Sequence, residues 1–420
     1  MCGINGFTFE NHELIKKMND LLVHRGPDSS GIYKDEKISL GHRRLKIIDL
    51  SEKASQPMFD SENKIAIIFN GEIYNFKELK KELEKDYKFK SNSDTEVIIY
   101  AYKKWGYNCV EFLNGMWAFA IYDKGKNKLF LSRDRLGKKP LYYTLLNNKL
   151  IFSSEIRPLF VHNIKKELNK KSVSSFLSYR YVLGEETMFE GIFKLLSGYN
   201  LVFDLNEDKI EKIWEYWDLE HNEININENE AKKNVDYLLT DSVSLRQVSD
   251  VPIGSINSGG LDSSLISAIM AKINDNPINT FTVKFPEKGF DETYFAKLLA
   301  DYCNTIHKEI IIDTSNFLDI MKEYSKKKDE PIGVPNEIAL YLLFKEIKKS
   351  VTVILSGEGA DEIFAGYSRI FRSPYDYERL KTKPSPENPQ RIATEMNNEL
   401  TFKYPEQYSQ FVAEANKETK

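Results

Sequence analysis

From about residue 231 the chain repeats one pattern, a helical stretch followed by a short apolar run, in steps of about 20 to 30 residues. "AKKNVDYLLTDSVSLRQV" has helical spacing, "VPIGSIN" reads as a strand, "SSLISAIMAKI" as a helix and "INTFTVKF" as a strand. "YFAKLLADYC", "TIHKEIII", "IALYLLFKEIKKS" and "VTVILS" continue the alternation. Strands joined through helices pair in parallel, so this half is expected to be an α/β doubly wound parallel sheet. Ligands of such sheets bind beyond the carboxyl ends of the strands, which makes the loops after strands the functional ones.

The first half follows a different rule. "KIAIIFNGEIYN" predicts a strand over 64 to 70 that breaks into a turn at Asn70 and Gly71, with a helix from about Asn75. "TEVIIYAYKKW" has helical spacing, and "MWAFAIYD", "KLFLSRD" and "LYYTLL" are β-rich runs. This half is α+β. The Glu- and Asn-rich stretch over 207–230 fits a linker at a domain junction, which sets the expected domains at 1–206 and 231–372. Residues 373–420 are Pro- and charge-rich, with a weak helical signal near "EQYSQFVAEAN", and are expected to form an atypical tail.

Composition excludes several classes of function. A net charge of −4 offers no basic excess to track a phosphate backbone, so nucleic acid is not an expected partner. No apolar run reaches the roughly 18 residues of a membrane span, so a soluble, cytoplasmic protein with no membrane partner is expected. Cys2, Cys109 and Cys303 are odd in number and far apart, and no two of the six histidines stand at HxxxH spacing. Neither a disulfide framework nor a zinc site is suggested.

Three stretches carry chemistry. At the start, "MCGI" puts a cysteine behind the initiator methionine, where trimming would leave Cys2 with a thiol and a free α-amine, a nucleophile and a base on one residue. His24 and His42 leave a Cys-His pairing open. A substrate with an α-carboxylate and an α-amine needs a cation and an acid held apart, and Arg44 with Glu72 and Asp94 supplies those types. Asn70 and the N–H of Gly71 could form an oxyanion hole.

The second stretch, "SINSGGLDSS", runs from a strand through Ser258, Gly259 and Gly260 into a helix opening at Asp262, Ser263 and Ser264. Glycines allow close backbone approach and the helix N-terminus favours an anion, so a polyphosphate suits this loop. It lacks the GKS/T ending of a Walker A motif and is not GxGxxG. The third, "LSGEGADEIFAGY", places Glu358, Asp361 and Glu362 after another strand, expected near the first loop. Carboxylates beside a phosphate site imply Mg²⁺.

"MCGI", "HRGPD", "NGEIYN" and "SDTE" closely resemble class II glutamine amidotransferase domains of the N-terminal-nucleophile type, a fold of layered sheets and helices. "SGGLDSS" and "SGEGADEIFAGY" resemble the pyrophosphate-loop domain of glutamine-dependent asparagine synthetases, in an order and spacing that match over about 370 residues. The resemblance implies that Cys2 attacks the glutamine amide and that Arg44, Leu45, Lys46, Ile47, Ile48, Asn70, Gly71, Glu72 and Asp94 hold glutamine. It implies an ATP site lined by Ile256, Val283, Ser356 and Gly357. Pyrophosphate would sit on 258–264, Asp262 and Asp361 near Mg²⁺, and Glu358 at a β-aspartyl-AMP intermediate. Glutamine, aspartate and ATP are the implied small-molecule partners, with ammonia passing through an internal channel and a homodimer left open. An enzyme of the same build with another acceptor, and a chain with glutaminase activity alone, remain alternatives. Asn257 departs from the family pattern, which has an apolar residue before the SGG. The 50 or so residues after "FAGYSR" do not resemble the helical block expected there.

Overall fold

The computed structural model describes residues 1–220, 222–284, 293–312 and 316–367. The chain divides into two units, Met1–Gly357 and Glu358–Lys420. The expected tail over 373–420, with its weak helical signal, lies outside the described residues.

In chain order the first half runs β1 (Gly3–Phe7), α1 (His12–Asp20), β2 (Ser29–Asp35), β3 (Ile38–Arg44), β4 (Met58–Phe59), β5 (Ile65–Ile73), α2 (Phe76–Leu83), α3 (Asp94–Trp105), α4 (Cys109–Phe112), β6 (Gly115–Asp123), β7 (Lys128–Arg133), β8 (Tyr142–Leu146), β9 (Lys149–Ser153), α5 (Lys170–Tyr179), β10 (Phe193–Lys194), β11 (Tyr199–Asp204) and β12 (Lys209–Glu215). Two six-stranded sheets form, ordered β10-β8-β9-β1-β3-β2 and β12-β11-β7-β6-β5-β4. Both are antiparallel throughout the pairings of β1, β5 and their neighbours. Each strand alternates its side chains between two apolar layers, which is why runs such as "IAIIF" and "WAFAIY" are apolar on both faces. Ile4, Leu40, Ile68, Ala120, Phe152 and Leu201 fill the space between the sheets. Ile67, Phe69, Trp117 and Phe119 face the other way and pack against α2 and α3. Phe7, Ile15, Met18 and Ile151 bury α1 on the outer face of the first sheet. The result is helix, sheet, sheet, helix, with β1 placing Cys2 at the end of the inner layers.

Two expectations are corrected here. β5 does not break at Asn70 and Gly71: it stays paired with β6 as far as Ile73 opposite Gly115. Glycine there serves close packing rather than a turn, since a Cβ on Gly71 would fall 2.1 Å from the Met116 carbonyl oxygen. The stretch expected as a linker loses 209–215 to β12, which pairs with β11 and stacks Trp214 on Phe130. Its Lys and Glu residues face solvent, which hides the strand from a compositional reading.

The second half contains α6 (Glu228–Leu245), β13 (Ile253–Ile256), α7 (Leu261–Ile273), β14 (Asn279–Lys284), α8 (Thr293–Tyr302), β15 (Ile306–Ile311), α9 (Phe317–Ser325), α10 (Asn336–Ile347), β16 (Val353–Leu355) and, in the second unit, α11 (Ala360–Phe364). β13 to β16 make a parallel sheet ordered β15-β14-β13-β16. α6 and α7 pack on one face through Val243, Ile269 and Met270, and α10 on the other through Leu343 and Ile347. The chain steps outward from β13 to β15 and then returns to the far side of β13, so the strand order reverses between β13 and β16. A ligand crevice opens at such a reversal. Among the described residues no helix is long and apolar enough to cross a membrane.

Candidate active sites

The thiol of Cys2 lies against the loop that leaves β3. Its Sγ accepts the main-chain N–H of Leu45 at 3.4 Å and stands 3.6 Å from the Leu45 carbonyl. The Cys2 carbonyl accepts Nε of Arg25 at 3.0 Å, and Arg25 is fixed in turn by Glu155 at 3.0 Å. Burial pushes the thiol pKa up, opposed by the hydrogen bond from Leu45, so the resting thiol is neutral and needs a base. Half of the Met1 surface is exposed, yet burial around its amine lowers that pKa to about 5, against the pull of Cys2 and with help from Arg25 and Lys139. The Met1 amine is therefore unprotonated at neutral pH. Neither histidine reaches the thiol: His42 Nε2 meets the Phe69 carbonyl at 3.2 Å and burial lowers it to about 3, while His24 pairs with Glu155.

Facing Cys2 is a cavity of about 790 Å³ that brings together Arg44, Leu45, Lys46, Ile47, Ile48, Asn70, Gly71, Glu72 and Asp94. Asn70 is fully buried and both polar atoms of its side chain lack a partner, which leaves them for a ligand. Along β5 the N–H groups of Phe69 and Ile73 turn away from β6, to Gln56 and to Asp94. By the alternation of an antiparallel ladder the Gly71 N–H turns the same way. Ser93 caps α3 by accepting the Thr95 N–H at 3.2 Å, which sets Asp94 in the first turn, where its Oδ2 accepts the Ile73 N–H at 3.0 Å. Burial raises Glu72 to about 7, opposed by Lys139 and increased by Asp94; burial likewise raises Asp94 to about 6. Two carboxylates in one apolar wall are suited to an ammonium group. Arg44 lines the same wall, but its guanidinium donates to the Ser51 carbonyl at 2.9 Å and to that of Asp49, so it shapes the loop as well.

Sequence reasoning missed Lys139. It is 6% exposed and lines the cavity. Asp134 accepts its N–H at 3.0 Å and Arg133 donates to its carbonyl at 2.8 Å, so its backbone is fixed from both sides. Burial lowers its pKa while Glu72 raises it. The signal was "RDRLGKKP", in which Gly137 takes a φ of 63° and turns the chain back into the site.

The second site lies where the sheet order reverses. β13 ends at Ile256 opposite Phe281 of β14, two residues before Val283, and the loops 258–264 and 356–357 follow β13 and β16. They touch: a Cβ on Gly357 would lie 2.8 Å from the Ser263 nitrogen and 2.9 Å from the Asp262 carbonyl carbon, so only glycine fits. Ser263 Oγ holds the loop by accepting the Ser258 N–H at 3.1 Å and meeting Ser258 Oγ at 2.9 Å. Gly259 adopts a φ of 87° and Ser264 N–H closes the first helical bond to Gly260. No side chain caps α7, which leaves the N–H groups of its first turn open to an anion.

Asn257, the departure from the expected apolar residue, pins this loop. Fully buried, it donates Nδ2–H to the Ala296 carbonyl at 3.0 Å and accepts the Gly259 N–H at 3.1 Å and Ser264 Oγ at 3.4 Å. Among the described residues no three acidic, histidine or cysteine side chains cluster as a metal site. Glu358 opens the second unit, and Asp361 and Glu362 occupy the first turn of α11.

Residues 1–217 match a glutamine amidotransferase domain family, and residues 234–419 match an asparagine synthase family. An amidotransferase domain followed by an asparagine synthase domain with a parallel sheet defines a two-domain amidotransferase. Among relatives, a Methanocaldococcus jannaschii protein named as an asparagine synthetase (glutamine-hydrolyzing) is 39% identical over 393 residues, covering 87% of this chain and 76% of that protein. Asparagine synthetase (glutamine-hydrolyzing) 1 of Bacillus subtilis is 37% identical over 394 residues, covering 92% of this chain. The chain spans 62% of that relative's length. Amidase chry2 of Gibberella zeae is 30% identical over 403 residues, covering 87% of this chain and 59% of that protein. The chain belongs to the family of glutamine-hydrolysing asparagine synthetases.

Proposed function

We propose that this chain makes asparagine from aspartate and ATP with nitrogen released from glutamine. The observation that carries this reading is the cavity at Cys2. It holds a buried Asn70 without partners at one end and continues past the first domain to Phe344, Ile347, Val351 and Ile354 at the other. A pocket for glutamine alone would not need an extension toward α10 and β16, apolar but for Lys348 and Thr352, whereas ammonia crossing to a second site would use one.

With Met1 removed, the α-amine of Cys2 takes the thiol proton, and the thiolate adds to the glutamine side-chain carbonyl. Asn70 Nδ2 and the Gly71 N–H receive the oxyanion, while Glu72 and Asp94 hold the α-ammonium. Collapse returns the proton to the leaving nitrogen and expels ammonia, and water then cleaves the thioester to glutamate. In the second domain the aspartate β-carboxylate displaces pyrophosphate from ATP, giving an aspartyl-AMP that ammonia converts to asparagine and AMP. The open first turn of α7 and residues 258–264 would hold the pyrophosphate, Ile256, Val283, Ser356 and Gly357 would line the nucleotide, and Glu358 would act at the intermediate. Asp262, in the first turn of α7, offers a carboxylate that suits Mg²⁺ completed by phosphate oxygens and water. Bound there, Mg²⁺ would neutralise charge on the leaving pyrophosphate. Aspartate as acceptor, a homodimer and a cytoplasmic setting belong to the same proposal.

Pyrophosphate release by the purified chain with ATP, Mg²⁺ and ammonia, with and without aspartate, tests it. Aspartate-dependent release with asparagine formed is the expected result. Glutamine hydrolysis without any such release would reduce the function to a glutaminase.

A further inference from the structure

The loop over 44–51 that holds the Cys2 thiol is itself held from the second domain, and both bonds converge on one residue. Asp250 donates its main-chain N–H to the Ile47 carbonyl at 2.9 Å. Its Oδ2 accepts the main-chain N–H of Asp49 at 2.7 Å. Ile47 and Asp49 flank Ile48, so three successive residues of the loop are fixed from one side chain and one peptide group. Asp49 takes a left-handed φ of 52°, which a non-glycine residue adopts at a cost of about 1 kcal/mol. Its own carboxylate is used within the first domain, accepting the N–H groups of Ser51 at 3.1 Å and Asn92 at 2.8 Å. The Asp49 N–H therefore finds its partner only across the domain junction.

Asp250 does not line the Cys2 cavity. It stands three residues ahead of β13, the strand that leads into Asn257 and the loop over 258–264. We propose that Asp250 is a positioning residue for glutamine hydrolysis: the second domain holds the glutamine loop in the shape in which Leu45 grips the thiol and Arg44 bridges the Asp49 and Ser51 carbonyls. This inference rests on the reading of the first site as a glutaminase. It adds that the glutaminase geometry is completed by a residue of the other domain.

The test uses the full chain, with glutamate formation giving kcat and KM, and glutamine binding to a Cys2→Ala background measured by calorimetry. One hydrogen bond of ordinary net strength near the surface corresponds to about a three- to tenfold change in affinity. Asp250→Ala is expected to raise the KM and the dissociation constant for glutamine by that factor while kcat moves less than about twofold. Asp250→Asn keeps an oxygen acceptor for the Asp49 N–H and is expected to recover most of the loss. Unchanged glutamine affinity in Asp250→Ala overturns the inference, and so does an Asp250→Asn variant as weak as the alanine. If the parent chain hydrolyses no glutamine, the glutaminase reading falls and takes the inference with it; normal hydrolysis by the parent with an unaffected alanine variant overturns the inference alone.

Discussion

Replacing Asn257 by leucine, the type of residue the family pattern calls for, is expected to weaken this chain rather than improve it. Leucine matches asparagine in branching and heavy-atom count and is larger, so no cavity opens, but the Ala296 carbonyl and the Gly259 N–H lose the partners they have at 3.0 and 3.1 Å. Each buried group left unpaired costs about 1–3 kcal/mol. Burying the leucine returns about 1.5–3 kcal/mol. At mid-range values the net destabilisation is about 2 kcal/mol, which moves a urea midpoint by roughly 1 M. All four tryptophans, Trp105, Trp117, Trp214 and Trp217, precede α6, so their fluorescence reports the first half and serves as an internal control. Circular dichroism together with ATP-dependent pyrophosphate release reports the second. The expected result is an earlier second-half transition and a weakened ATP step with an unchanged tryptophan signal. Equal urea midpoints and equal pyrophosphate release in both proteins would refute the idea that Asn257 holds the loop.

Other outcomes follow from the same geometry. Gly357→Ala forces a Cβ against main-chain atoms of Asp262 and Ser263, neither of which can swing aside, so overpacking of about 1–3 kcal/mol should slow pyrophosphate release about tenfold while glutamine hydrolysis stays within about twofold. If Glu72, raised to about 7, holds the glutamine ammonium as proposed, it must be ionised to do so, and KM for glutamine should rise about tenfold as pH falls from about 8 to 6; a flat profile would remove Glu72 from substrate binding. The same shift has a sign for stability: the folded chain holds the Glu72 proton more tightly than the unfolded chain, so stability falls as pH rises from about 4.5 to 7. Glu72→Gln should remove that loss, read as a higher melting temperature at pH 8 than the parent's. Cys2→Ala should abolish glutamate formation and leave ammonia-driven pyrophosphate release intact; equal loss of both would mean that the two sites are not separable.

Much of this organisation was legible in the sequence because alternation is a local property. The parallel sheet, its helices and the two loops at its carboxyl ends follow from periodicity and glycine placement, and the loops meet where strand order reverses, as Gly357 against Ser263 demonstrates. The grouping of Cys2 with Arg44, Asn70, Glu72 and Asp94 was readable from residue types and family motifs. What escaped depends on pairing across long separations. Asn70 and Gly71 look like a turn by composition, and only β6 opposite them keeps β5 extended to Ile73. β12 is polar enough to pass for linker until β11 claims it. Lys139 enters the cavity on a loop fixed by Arg133 and Asp134, and Asp250 reaches the loop over 44–51 from a distant part of the chain. No local pattern announces Asp250, and only the turn at Gly137 points to Lys139.

The joining of the two sites is open to one isotopic measurement. Glutamine labelled with ¹⁵N in its amide is supplied with ATP, Mg²⁺, aspartate and an excess of unlabelled ammonium, and the asparagine is analysed by mass. If ammonia formed at Cys2 travels through the cavity toward β16, the product amide carries the label well above the bulk ratio. Label diluted to the bulk ratio would mean that the ammonia escapes to solvent first, and that the cavity past Ile347 and Ile354 is not its path.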